Sequence, residues 1–226
     1  MNIEKIQSFR SFLDSELIPA ADDLENLEDK HRKHIQKLMF TNLVDRFDSM
    51  IDGMLLDNCR DEFLVSEAFK GLTQPITESA LLELLMKGDD LQDALDHRLK
   101  DALRLSVLRL RHSRKLVKLF SISEEAANFG KKPRVNPSTG EIVDKFKVQV
   151  ATTPHSICGY ADWLYSKRNS IVHGSGSSKF FINDKKQIKK LYGVTTTDGF
   201  RVPLSSVRTG AKFYAGVCAL LDPDPS

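Results

Sequence analysis

Apolar residues recur along most of this chain at the spacing of one helix face. Over residues 2–18, Ile3, Ile6, Phe9, Phe12, Leu13 and Leu17 form such a stripe, and Pro19 is expected to end it. A longer stripe runs from about Asp23 to Leu56, through Ile35, Leu38, Met39, Leu43, Phe47, Met50, Ile51 and Leu55. Shorter helical patterns follow near 60–70 and 76–87. The next helical stretch spans 90–121, with Leu91, Leu95, Leu99, Leu103, Val107 and Leu110 on its face and a break expected near His112. The texture changes after Phe129. Two prolines and a Ser-Thr-Gly turn precede alternating Ile142, Phe146, Val148 and Val150, which reads as an insertion with a small hairpin or a flexible basic loop. Thr153-Pro154 and His173-Gly174 then bracket a helix over about 154–173. Residues 175–202 look irregular, with KFFINDKKQIKKLYGV read as short strands or turns. A last helix is expected over about 203–221. The fold class is therefore all-α: a four- to five-helix bundle in one domain over 1–226, with a small, partly β insertion around 130–150.

Composition narrows the picture only a little. Hydrophobic residues make up 41% and charged residues 28% of the 226, ordinary for a soluble domain. The net charge is +2, too small to name a partner. The N-terminal segment is charged and amphipathic rather than a secretory leader, and no apolar run approaches the ~18 residues of a membrane span. Cys59, Cys158 and Cys218 are far apart and form no paired motif, which argues against a disulfide framework or a cysteine zinc site and for a reducing, cytoplasmic setting.

Local charge says more. Between Arg98 and Lys118 stand eight Lys or Arg residues and one acid, Asp101. Such a run is ordinarily a solvated helix face; it can also serve as a phosphate-binding surface. His31 and His34 share a helix face but are crowded by Lys30, Arg32 and Lys33, which disfavours a metal. Asp89, Asp90, Asp93 and Asp96 suit a helix start. Trp163, Tyr160 and Tyr165 fit core or dimer contacts better than base stacking. No phosphate loop, dinucleotide fingerprint or hydrolase elbow is present. No metal or cofactor is expected.

The helix over 154–173 carries the chemistry. On a helical wheel Ala161, Leu164, Arg168 and Ile171 lie within about 40° of Ile157, so Arg168 sits inside the apolar stripe. A buried unpaired charge is costly. Arg168 must therefore pair with a carboxylate or face a groove that receives an anion. His173 lies ~140° around and ~7.5 Å along from Arg168 on an ideal helix. The two converge only if the helix breaks before His173, or if two copies of the helix complete one another across a two-fold axis.

The run Arg168-Asn169-Ser170-Ile171-Val172-His173 resembles the signature of HEPN ribonucleases, an all-helical family with the motif late in the chain; the stand-alone RiboL-PSP-type members are the nearest in size. The resemblance implies a metal-independent endoribonuclease, a toxin or anti-phage effector, acting on RNA as a homodimer with a composite cleft, and a possible antitoxin or defence-system partner. Arg168 would hold the scissile phosphate. His173 would act as general base or acid. Asn169 would orient His173 or the phosphate. Lys167, Arg111, Arg114, Lys115, Lys131 and Lys132 are the cations expected to bind substrate. Some HEPN toxins carry a tyrosine two residues after the histidine, where a partner modifies them; Ser175 stands here, which argues against that form of control. The other reading of the same chain is a non-catalytic helical RNA-binding or signalling module using the basic 98–118 face.

Overall fold

The computed structural model describes residues 3–72, 77–86, 91–122, 134–147, 152–173, 179–196 and 202–222. Among these, helices dominate and no strand occurs; the all-α class holds. The elements are α1 (Ile3–Phe12), a π turn (Leu13–Leu17), α2 (Ile18–Asp23), a 3₁₀ turn (Leu24–Asn26), α3 (Asp29–Asp57), α4 (Glu62–Phe69), α5 (Glu78–Met86), α6 (Leu91–Ser106), α7 (His112–Ser121), α8 (Ile157–Val172), α9 (Lys179–Tyr192) and α10 (Leu204–Leu221).

Two departures from the expected elements have clear causes. Pro19 does not end the first helix. The wider π turn precedes it, and the ring sits in the first turn of α2, where a missing N–H is tolerated. Residues 179–192 are helix rather than strands or turns. Ile188 is fully buried, Tyr192 follows one turn on against α8, and Gly193 ends the helix at φ +69 with its N–H donated to the Lys189 carbonyl.

Helix α3 is the axis of the bundle, and it packs against α1, α7, α8 and α10. Its buried face includes Phe40, Leu43, Val44, Phe47, Met50, Ile51, Met54 and Leu55; the expected stripe member Leu38 is 57% exposed and lies outside it. Phe47 stands at the centre. Its ring stacks on Tyr214 of α10 at 3.9 Å and tilts against Phe9 of α1 at 5.4 Å and His112 of α7 at 5.4 Å. Trp163 and Tyr160 of α8 are buried, as core residues. Helices α4, α5 and α6 form a side layer, and α5 buries none of its residues.

The insertion contains an isolated antiparallel bridge between Val135 and Ile142. Val148 and Val150, expected in the same hairpin, lie outside the described residues. The turn is sealed against α10 by Gly140, at φ +77: a Cβ there would come within 2.0 Å of the Thr209 carbonyl oxygen. Cys59, Cys158 and Cys218 are all free and buried.

Because Phe47 touches α1, α7 and α10 at once, Phe47→Ala should lower unfolding stability by about 3–5 kcal/mol. Chemical denaturation of the two proteins, compared at equal m-value, checks it.

Candidate active site

Helix α8 starts where its side chains can cap it. Ser156, extended at the N-cap, accepts a hydrogen bond from the Gly159 N–H at 3.1 Å. The start thus falls slightly later than Thr153-Pro154 suggests. At the other end the helix runs unbroken to Val172, and the His173 N–H still donates to the Asn169 carbonyl at 3.0 Å. The helix does not break before His173. Within one chain, Arg168 and His173 therefore keep their helical offset of ~140°. His173 is exposed at the C-cap, beside Val172, which is 49% exposed.

Arg168 answers the cost of a charge on an apolar stripe by pairing. Its Nε lies 2.7 Å from Asp45 Oδ1 of α3, as an ion pair whose N–H is not aligned for a hydrogen bond, and Nη1 donates to Asn169 Oδ1 at 3.0 Å. The Arg168 side chain is 22% exposed and that of Asp45 40%. The pair thus sits at the rim of the α3–α8 seam, within reach of solvent.

Asp45 is the first of three acids on one side of α3. Asp45, Asp48 and Asp52 stand at i, i+3 and i+7, all within about 60° on the wheel. Asp48 lies 2.9 Å from His112 Nδ1 and 2.8 Å from Lys115 Nζ; the Lys115 ammonium also donates to Asp52 at 2.7 Å. Burial alone would raise the Asp48 carboxyl. His112 and Lys115 outweigh it and hold the group down at about 2. Burial dominates at Asp52, which is pushed up, while the two carboxylates overcome burial at Lys115 and raise it. His112 also stacks on Tyr165 of α8, one turn before Arg168, at 5.5 Å. The acidic row therefore links α7 and α8 to the central helix.

A second carboxylate joins the same helices. Asp162 of α8, 1% exposed, accepts the Ser113 N–H at 3.0 Å, the Ser113 hydroxyl at 2.9 Å and the Tyr192 hydroxyl at 2.9 Å. It caps the start of α7 and ties α9 to α8. Among the described residues no grouping of three or more His, Cys, Asp or Glu could hold a metal ion.

The cations expected to bind substrate separate. Lys115 is corrected: it is 4% exposed, turned into the core, and its charge is taken up by Asp48 and Asp52. Lys167 is half-buried, with Nζ 3.2 Å from the Ser206 hydroxyl and over the Phe40 ring; burial lowers its pKa. Arg111 donates to Gln187 of α9 at 2.7 Å, with Nε 3.5 Å from Asp162. Arg114 is exposed. Lys131 and Lys132 lie outside the described residues. The basic run from 98 to 118 is no single face: it is split between α6 and α7, Arg104 pairs with Asp101, and Lys118 pairs with Glu67.

Comparison of the chain with protein-family models, with curated proteins and with solved structures finds no match.

The sign of the Asp48 shift sets an acid dependence. A carboxyl depressed in the folded state stabilises the fold above its unfolded value near 3.8, and that stabilisation is lost as pH falls toward about 2. Asp48→Asn should flatten the stability change between pH ~4 and ~2 by about 2 kcal/mol. It should also cost about 3–5 kcal/mol at neutral pH by leaving buried Lys115 short of a partner. Urea unfolding across pH measures both.

Proposed function

We propose that this protein is a metal-independent endoribonuclease of the HEPN type, working as a homodimer whose cleft takes Arg168 and His173 from both copies. The observation that carries this reading is the placement of Arg168, Asn169 and His173 at the solvent-reaching C-terminal end of α8, with Arg168 at the rim of the seam rather than sealed in the core. Helix continuity through Val172 favours the two-copy arrangement, because one helix does not aim both side chains at one phosphodiester. The exposed Val172 beside the motif offers apolar surface for a second copy.

In this mechanism the guanidinium of Arg168 binds the scissile phosphate and stabilises the charge that builds on its equatorial oxygens. The phosphate competes with Asp45 for that guanidinium. The His173 imidazole of the other copy removes the proton of the ribose 2′-OH as the 2′-oxygen attacks phosphorus, and returns that proton to the departing 5′-oxygen. The new bond is P–O2′ and the broken one is P–O5′. The products are a 2′,3′-cyclic phosphate and a free 5′-OH, and DNA is spared for want of the nucleophile. Asn169, bonded to Arg168, fixes the guanidinium plane. An unrestrained activity of this kind suits a toxin or anti-phage effector.

Purified protein incubated with RNA in EDTA should leave cyclic-phosphate ends. His173→Ala, at an exposed position, should fold normally and cleave at least ~100-fold more slowly, as should Arg168→Ala. Cleavage that requires added metal, or that His173→Ala retains in full, would sink the proposal.

A further inference from the structure

Helix α9 concentrates positive charge that neither the core nor the motif uses. Lys185, Lys186, Lys189 and Lys190 fall within two turns, accompanied there by one acid, Asp184. Lys186, Lys189 and Lys190 are exposed and have no ion pair among the described residues. Arg111 bridges from α7 by donating to Gln187, and Arg114, exposed and also unpaired among the described residues, stands one turn further along α7. Arg111 and Arg114 therefore border α9 on its Gln187 side, nearest Lys190 and Lys186, with Lys189 further round the helix.

The course of α9 gives that surface a direction. Tyr192, at its C-terminal end, reaches Asp162 and packs beside Gly159, in the first half of α8. The helix thus runs back antiparallel along α8, and its first residues lie toward the end of α8 that carries His173. At ~1.5 Å per residue Lys186, Lys189 and Lys190 lie roughly 10–17 Å from the start of α9, and Lys186 and Lys190 are ~6 Å apart along the axis. Ile188 and Tyr192 commit one edge of α9 to α8, and the exposed Ile182 and Leu191 fall ~180° apart on the helix, so they make no single bilayer-inserting face. A polyanion lying on the surface fits better.

We infer that Lys186, Lys189 and Lys190, together with Arg111 and Arg114, form the track that holds the backbone of the RNA strand entering the Arg168–His173 cleft. This rests on the ribonuclease reading for the identity of the polyanion. The track positions substrate and takes no part in bond making.

The test measures binding of a single-stranded RNA oligomer to His173→Ala protein over a range of KCl concentrations. Adding Lys186→Gln, Lys189→Gln and Lys190→Gln should reduce the slope of log affinity against log salt by about 2, because each backbone phosphate contact contributes roughly 0.7. Affinity at low salt should fall roughly 10-fold or more. Glutamine keeps the helix propensity of lysine, so the fold should persist. A control that removes equal charge from α4 and α6 (Lys70→Gln, Lys100→Gln, Arg104→Gln) should leave the slope unchanged. An equal loss in the control, or no change in the α9 protein, overturns the track. So does binding of the same lysines to phosphatidylserine vesicles in preference to RNA. Cleavage by the parent with an unchanged slope removes the track alone. RNA binding through α9 with no cleavage by the parent removes the ribonuclease reading and keeps the track.

Discussion

The row of carboxylates on α3 is the constraint around which the rest of the molecule is arranged. Asp48 and Asp52 hold His112 and Lys115, which fixes α7; Asp45 holds Arg168, which fixes the C-terminal half of α8. The same helix presents Phe47 to the aromatic cluster. Burying charges is expensive, and their mutual attraction repays that cost only when the partners are complete. Here the inner cations, His112 and Lys115, are buried, while the outer cation, Arg168, reaches solvent. Of the three cations held by this row, Arg168 is the one open to solvent, and the candidate chemistry stands there.

That arrangement ties the fold to the proposed chemistry. Arg168 is oriented by two partners, Asp45 and Asn169, and remains near enough to solvent to exchange one anion for another. Preorganised guanidinium is what the proposed metal-free phosphoryl chemistry would require. His173, by contrast, is carried past the end of the ordered helix on the opposite side. The geometry of one chain separates the two groups, and in the proposed dimer a second chain would resolve the separation.

Much of this was legible in the sequence, for identifiable reasons. The long stripe of α3 and the shorter ones of α6 and α10 are strongly periodic, and the structure keeps them. Arg168 could be singled out because a helical wheel places it among Ile157, Ala161, Leu164 and Ile171. Its partner could not: Asp45 reads as one more acid on a polar helix face until folding brings α8 against it. Lys115 was misplaced because a charge run counted along the chain does not show which cation turns inward; its position on the buried side of α7, beside Leu116 and Leu119, was the available clue. Helix α9 was missed because Phe180-Phe181 and the Val-Thr-Thr-Thr run after Gly193 suggest strand, while among its described side chains the core contribution is little more than Ile188 and Tyr192. The Tyr192-Gly193 step, a helix-stop signal, pointed the other way.

The central claim is that the catalytic groups work across two copies of the chain, and complementation tests it most directly. Arg168→Ala and His173→Ala proteins, each inactive alone, are co-refolded in equal amounts and assayed for RNA cleavage in EDTA. Half of the dimers then contain one copy of each, and each such dimer holds one intact Arg168–His173 site, so activity should return to roughly a quarter of the parent value. A mixture that forms mixed dimers and stays as inactive as its components would contradict the account.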